Sequence, residues 1–490
     1  MRFRQPQLAV ALAMALASHG AVAEAAESTK CVGSAHAGET TPTPVDPYPL
    51  MAAGWGPELG NGFMASRWAE DWSGMAAHGR APAGKFIAIG ESTHLTLSSE
   101  IRVRATAADD ARLREGDDVQ QDQARLLVGA DLRFNPGLRV YGELGAGVVD
   151  SRRDDAPASF ANDISLQQLF VDVRDDIGGM LVGAMLGRQE FSDGPRQLIS
   201  LGDGANLHRT WNGIRAYAHA PRVRLGAFDL RATRLGSGAF DERIDAGEKL
   251  QGIDASIIVS ESGPNTFLEP FWIRSRQPAY RRANATGPDE RDTVGARLWG
   301  RRGELRFDWV AARQSGQTLG GRRVQAWGLF STQSIALSQA GWKPRLTAHV
   351  DLASGGGAYE SATVRDFNPL YASSNYLGEA QFLGLSNLLM IAPGIAVSPT
   401  PRTSVAVEYG RARRLDVHDA IYAGGGRAYA GTETVTGRRI GDLARLTATW
   451  SIHRNLALRL NVEHLAAGDA LRLSGHVSGT YAYVDTTFRY

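Results

Sequence analysis

From residue 94 onward, apolar and polar residues alternate with a period of two, broken at short intervals by turn residues. In 94–105, Leu95, Leu97, Ile101 and Val103 fall on one face of an extended strand, and Thr96, Ser98, Glu100, Arg102 and Arg104 on the other. Residues 124–134 set Leu126, Val128, Ala130, Leu132 and Phe134 against Arg125, Asp131 and Arg133. Only Asn135-Pro136-Gly137 separates them from the alternating stretch 138–149, which predicts a hairpin. The same pattern predicts strands near 163–174, 180–190, 210–219, 222–235, 250–260, 266–276, 292–301, 304–313, 322–338, 343–353, 384–398, 402–413, 438–452, 455–465 and 479–490. That is about 18 strands, an even number.

The connections alternate as well. Those at 135–137, 175–179, 219–221, 261–265, 301–303, 339–342, 399–401 and 453–454 are short. Those at 106–122, 150–162, 191–209, 236–249, 277–291, 314–321, 354–383, 414–437 and 466–478 are long and polar or Gly-rich. A soluble sandwich has no reason to keep this order, whereas a membrane meander has short turns at one face and long loops at the other. Backbone groups in hydrocarbon must all be paired, so a β-protein spans only as a closed barrel. The reading is therefore all-β: a single transmembrane antiparallel barrel with short periplasmic turns and long extracellular loops. In the closing strand, Ala482, Val484, Thr486, Phe488 and Tyr490 alternate with Tyr481, Tyr483, Asp485, Thr487 and Arg489. Its terminal aromatic resembles the signal by which outer-membrane barrels are recognised for insertion.

The start of the chain agrees. Arg2 and Arg4, the apolar run from Leu8 to Ala17 and the small-x-small site Ala21-Val22-Ala23 read as a signal peptide over 1–23. A periplasmic lead-in over 24–93 and the barrel over 94–490 follow, and the protein is expected in the outer membrane of a Gram-negative cell. Cys31 is the only cysteine, which leaves no disulfide framework, and Ser28-Thr29-Lys30 before it are not a lipoprotein site. No later run reaches the ~18 apolar residues a spanning helix needs, the nearest being 388–397. The net charge of +1 becomes about −1 without Arg2 and Arg4, so bulk charge points to no nucleic acid.

Catalytic motifs are missing: there is no HExxH, P-loop, GxSxG or paired-cysteine pattern, and the 11 histidines lack ligand spacing. The expectation is a protein that is not an enzyme, with no cofactor and no metal. Asp109, Asp110, Asp117 and Asp118 read as solvated loop charges. The segment 66–73, SRWAEDWS, reads as a small plug, a docking element or a strap across the barrel base, and 424–431, GGGRAYAG, as a mobile rim or lid.

In their order along the chain, SRWAEDWS, KFIAIG, LGRQEFSDGPRQLI, TWNGIRAY, FNPLYASSNYLGEAQFLGLSNLLMIAPGIAV and VEHLAAGDALR resemble the alginate export family of outer-membrane barrels. The resemblance implies an 18-stranded barrel that passes an acidic polyuronate through an arginine-lined lumen, with loops that help to gate it. Arg102, Arg459 and Asp485 stand where that family keeps lumen charges, and Arg365 lies in a loop segment similar to one that contributes an arginine. Alternation adds Arg215 and Arg445 to the inward face. Arginines can hold a passing carboxylate bidentately, while nearby acids keep the hold shallow. Gln167-Gln168 replace an Arg-Glu pair of family members specific for alginate, and Glu190 stands where an arginine follows Gly-Arg-Gln. The leading expectation is an exporter of an anionic polysaccharide. The alternatives are a porin for small anionic or carbohydrate solutes and, with no Ser-His-acid set in view, a lipase-like barrel. Expected partners are outer-membrane lipid and lipopolysaccharide, the barrel assembly machinery and periplasmic export components.

Overall fold

The computed structural model describes residues 60–151, 156–260, 266–283, 285–357, 359 and 361–490. The signal peptide, Cys31, the first part of the lead-in and the turn at 261–265 lie outside the described residues. Eighteen long strands follow one another. They are β1 His94–Asp109, β2 Val119–Asn135, β3 Leu138–Ser151, β4 Asn162–Asp176, β5 Leu181–Glu190, β6 Thr210–His219, β7 Val223–Arg234, β8 Arg243–Ile258 and β9 Thr266–Arg282. The second half is β10 Ala285–Arg302, β11 Leu305–Thr318, β12 Arg322–Ala336, β13 Arg345–Ala353, β14 Leu388–Thr400, β15 Thr403–Arg413, β16 Arg439–His453, β17 Leu456–Ala467 and β18 Gly479–Arg489. Each pairs antiparallel with the next, and β18 returns to β1, with Asp485 opposite Arg104 and Phe488 opposite Ile101. Closure continues past the last strand residue, where the Tyr490 amide donates to the Ser99 carbonyl at 2.8 Å.

The alternation sorts the two faces as lipid and lumen require. Leu126, Val128, Leu186, Ile253 and Val294 are 41–60 % exposed on the outside, while Glu100, Arg102, Arg104, Arg125 and Asp131 are at most 4 % exposed within. This inverts the arrangement of a water-soluble protein. At the turn between β10 and β11, Gly303 sits at φ +59°, where a residue with a Cβ is strained.

Several strands run beyond the periodic signal. β2 and β8 begin earlier than expected, and 277–291, read as a long loop, is mostly a continuation of the β9–β10 hairpin. The span 314–321 likewise shrinks to a turn between Thr318 and Arg322. These extensions carry polar residues on both faces, so they lack the pattern that marks a strand crossing hydrocarbon.

The interior has two unlike halves. On β7–β16, Phe228, Leu230, Phe271, Ile273, Val310, Phe330, Met390 and Leu443 point inward and are buried. The connections after β5, β13 and β15 fold into the barrel and pack on them, with Phe191 against Phe228 at 4.5 Å, Tyr371 against Trp211 at 4.8 Å and Phe367 against Phe330 at 5.4 Å between ring centres. The inner face of β7–β16 thus carries an apolar core, with buried charges such as Glu269, Asp289, Arg291 and Asp351 beside it, and the inward connections fill space that the alternation left to a water-filled lumen.

A candidate conduit inside the barrel

The charged half of the interior is built on β17, β18, β1 and β2, where the period of two aims Arg459, Asp485, Glu100, Arg102, Arg104 and Arg125 inward. Its carboxylates are shared among arginines. Glu100 accepts from Arg67 Nη1 at 3.0 Å, Arg125 Nε at 2.9 Å and Arg489 Nε at 2.8 Å. Asp203, on the connection after β5, meets Arg125 at 2.8 Å and Arg102 at 3.4 Å. Arg104 reaches Asp485 at 2.9 Å and Glu379 at 3.0 Å. Arg459 faces Asp485 across the β17–β18 pair and lies in its field and that of Asp203. On β16, Arg445 pairs with Glu408 at 3.2 Å and donates to the Tyr376 and Asn375 carbonyls, both at 3.1 Å.

The structure therefore draws Arg102, Arg459, Asp485 and Arg445 into one charged wall that the inward connections cover. Arg215 is buried elsewhere, on β6, bound to Asp193 at 2.5 Å with its guanidinium 5.6 Å from the Phe191 ring centre. Arg365 stands apart: it is exposed, and its backbone amide donates to Gly356. Gln167 and Gln168 are buried in β4, where Gln168 donates to Glu143 at 3.1 Å.

Two glycines of the family-like segments have a backbone reason. Gly187 of LGRQ and Gly213 of TWNGIR are opposite one another across β5 and β6. With φ of +132° and +150°, an added Cβ would come within 2.3 Å and 2.1 Å of the Leu169 and Asp229 carbonyl oxygens. Only glycine lets the neighbouring strands approach so closely.

Several residues of the wall come from segments without periodicity. His208 and Asp203 reach in from the connection after β5, and Glu379 from the one after β13. Burial alone would lower the His208 pKa, but Glu190 on one ring nitrogen and Asp203 on the other hold it up to about 9. The lead-in also enters the barrel. Trp68 donates to Glu190 at 3.1 Å, Arg67 meets Glu100, and Lys85 Nζ lies 2.9 Å from Glu70, itself buried with Trp72. SRWAEDWS lies against inward residues of the wall, with Trp68 and Glu70 also accepting from Arg139 and Arg133 through their carbonyls. The only sequence signal was the aromatic–acid alternation Trp68, Glu70, Trp72.

A cavity of about 840 Å³ lies at the loop-side ends of β1, β2 and β18, lined among others by Gln123, Arg209, Arg281, Tyr371, Glu379 and Tyr481. The GGGRAYAG segment borders it but is not a free lid: Tyr429 is buried and donates to the Phe382 carbonyl at 2.9 Å, and the Gly424 amide donates to Gln381 at 2.9 Å. Between the inward connections, Asp366 and Asp419 share contacts with Arg282, Tyr422 and the Gly356 amide. Burial and the Asp366 carboxylate raise the Asp419 pKa.

A closed 18-stranded barrel, apolar outside and charged within, defines an outer-membrane channel. The chain belongs to the alginate export family, whose sequence profile matches residues 93–485. It is similar in fold to OpdK of Pseudomonas aeruginosa, with 11 % identity, 81 % of this chain and 98 % of that chain covered, and a TM-score of 0.54. OccK9 (OpdG) of the same organism has 12 % identity, covers 83 % and 99 %, and scores 0.55. A BenF-like porin of Pseudomonas fluorescens Pf-5 has 9 % identity, covers 81 % and 99 %, and scores 0.54. No protein of curated function matches the chain.

Proposed function

We propose that this channel exports an acidic polysaccharide of the polyuronate class along the wall formed by β16–β18, β1 and β2. The observation that carries the reading is the place of Asp203. Its side chain is 45 % exposed, against 1–7 % for Glu100, Asp485 and Glu379, and it sits between Arg102 and Arg125. A uronate carboxylate has the same charge and geometry, so it can take over these guanidinium groups when the loop withdraws. Because neighbouring acids are already shared, each arginine can pass a carboxylate to the next without a deep well, as conduction requires. A second reading, a porin for small anionic or carbohydrate solutes, draws on the three inward connections that narrow the passage and on the uncharged Gln167-Gln168.

The test is conductance of the purified protein in a planar bilayer under a salt gradient, with polyuronate oligomers as blockers. The wild type is expected to prefer anions, and Asp203→Asn to strengthen uronate block by about tenfold, the scale of one charge-assisted contact. Replacing Arg102, Arg445 and Arg459 with Gln should shift selectivity toward cations and abolish block. Cation preference in the wild type, or an unchanged reversal potential and block in the variants, would overturn the export reading. Block by monomeric uronate as strong as by oligomers would favour the porin.

A further inference from the structure

The outward face of β7–β12 changes character along its length. Toward the short turns it carries Leu225, Ile253, Trp272, Val294, Ala311 and Leu329. Toward the long loops, the same alternation turns Arg231, Lys249, Arg274, Arg276, Arg313 and Arg323 outward, since their neighbours Leu230, Leu250, Ser275, Ala312 and Val324 are buried on the inner face. Strand pairing sets Arg231 opposite Lys249, and Lys249 opposite Arg276, which makes a row of three cations across adjacent strands. Like charges directly opposite in a sheet repel unless an anion lies between them.

The acids on this face offset only part of that charge: Asp229 pairs with Arg231 at 2.5 Å, Asp292 pairs with Arg274 at 2.9 Å, and Glu290 stands opposite Arg276. Among the described residues, Lys249, Arg313 and Arg323 have no ion-pair partner. On β1–β3 the outward loop-side charges have the other sign: Asp109 and the opposed pair Asp122 and Asp150 are exposed. The surplus of cations on β7–β12 thus lies directly beyond an apolar band, and the exposed Arg411 and Arg413 follow farther round on β15.

We infer that the outer wall of β7–β12 binds the phosphorylated head group of an outer-leaflet glycolipid. An apolar strip leading into surplus cations fits an amphiphile whose chains lie against Ile253, Trp272 and Val294 and whose phosphates neutralise Lys249 at the centre of its row and, farther round, Arg313 and Arg323. Guanidinium groups take phosphate oxygens bidentately, and the ammonium of Lys249 serves as a point charge. The inference rests on the outer-membrane barrel and not on what the lumen conducts.

The experiment uses the full chain purified in neutral detergent, incubated with bisphosphorylated lipid A or with the same lipid stripped of phosphate, and weighed by native mass spectrometry. The wild type is expected to retain the phosphorylated lipid selectively. The variant Lys249→Gln, Arg276→Gln, Arg313→Gln, Arg323→Gln should lose about tenfold or more of that retention, whereas Asp122→Asn with Asp150→Asn should not. Unchanged heat-modifiable migration certifies the variant's fold, and its single-channel selectivity reports on the lumen separately. Equal retention of both lipids by the wild type, or full retention by the folded variant, overturns the inference. So does displacement of lipid A by polyuronate oligomers, which would assign the surface to a polymer. Should the variant not fold, the two-lipid comparison on the wild type decides.

Discussion

His208 ties the connection after β5 to the barrel wall through Glu190 and, within the connection, holds Asp203, beside Arg125. Its pKa in the fold is about 9, above the ordinary 6.5, because the two carboxylates favour the imidazolium more than burial disfavours it. The contribution of this contact is complete below the ordinary value and is lost as pH rises through the raised one. Conductance of the wild type is accordingly expected to rise between about pH 7 and pH 9 as the loop loosens, and His208→Gln should flatten that part of the profile. A wild-type profile that is level over this range, or one that the substitution leaves unchanged, would show that the loop does not depend on this charge.

At the level of elements, the lead-in and the connection after β5 both reach into the barrel and meet at Glu190, which accepts from Trp68 and contacts His208. The lead-in's grip is polar and local: Arg67 on Glu100, Trp68 on Glu190, and Lys85 in a cage of Glu70, Phe63, Trp72 and Tyr490. Arg67→Ala with Trp68→Ala removes two of these anchors without touching a strand, and Glu100 keeps Arg125 and Arg489 as partners. The double variant is expected to fold, migrate normally and conduct several-fold more current, since the buried contacts it loses are worth roughly 1–3 kcal/mol each. A folded variant with wild-type conductance would mean that the lead-in strengthens the wall without occluding the passage.

Over the whole molecule, stability depends on which face of each strand meets lipid. Leu126 and Val128 point outward and Thr447 points inward, opposite the buried Asn461. Leu126→Arg or Val128→Arg places charge against hydrocarbon and should cost about 2–4 kcal/mol near the midplane, whereas Thr447→Arg stays in the polar interior. The fraction migrating as a folded, heat-modifiable barrel is expected to fall for the first two and hold for the third. Equal tolerance would contradict the phase of the barrel wall.

How much of this was legible in advance follows from what each feature depends on. Strand number, their inward and outward faces and the closing of β18 on β1 were readable in the sequence, because a bilayer forces a period of two on every crossing segment and a closed pairing on every edge. Arg102, Arg459 and Asp485 could be placed on the inner face for the same reason. Beyond the hydrocarbon that constraint ends, so the long β9–β10 hairpin was hidden. The apolar inner face of Phe228, Leu230, Phe271 and Ile273 carried a signal, since strands apolar on both sides are covered on both sides. What covers them was not readable: Tyr371, Phe367 and Leu198 lie in aperiodic connections whose partners are distant in sequence. Only the tertiary structure set Asp203 and His208 against Arg125, parted Arg215 and Arg365 from the charged wall, and brought Trp68 up to Glu190, because these contacts are fixed by loop packing and not by any local repeat.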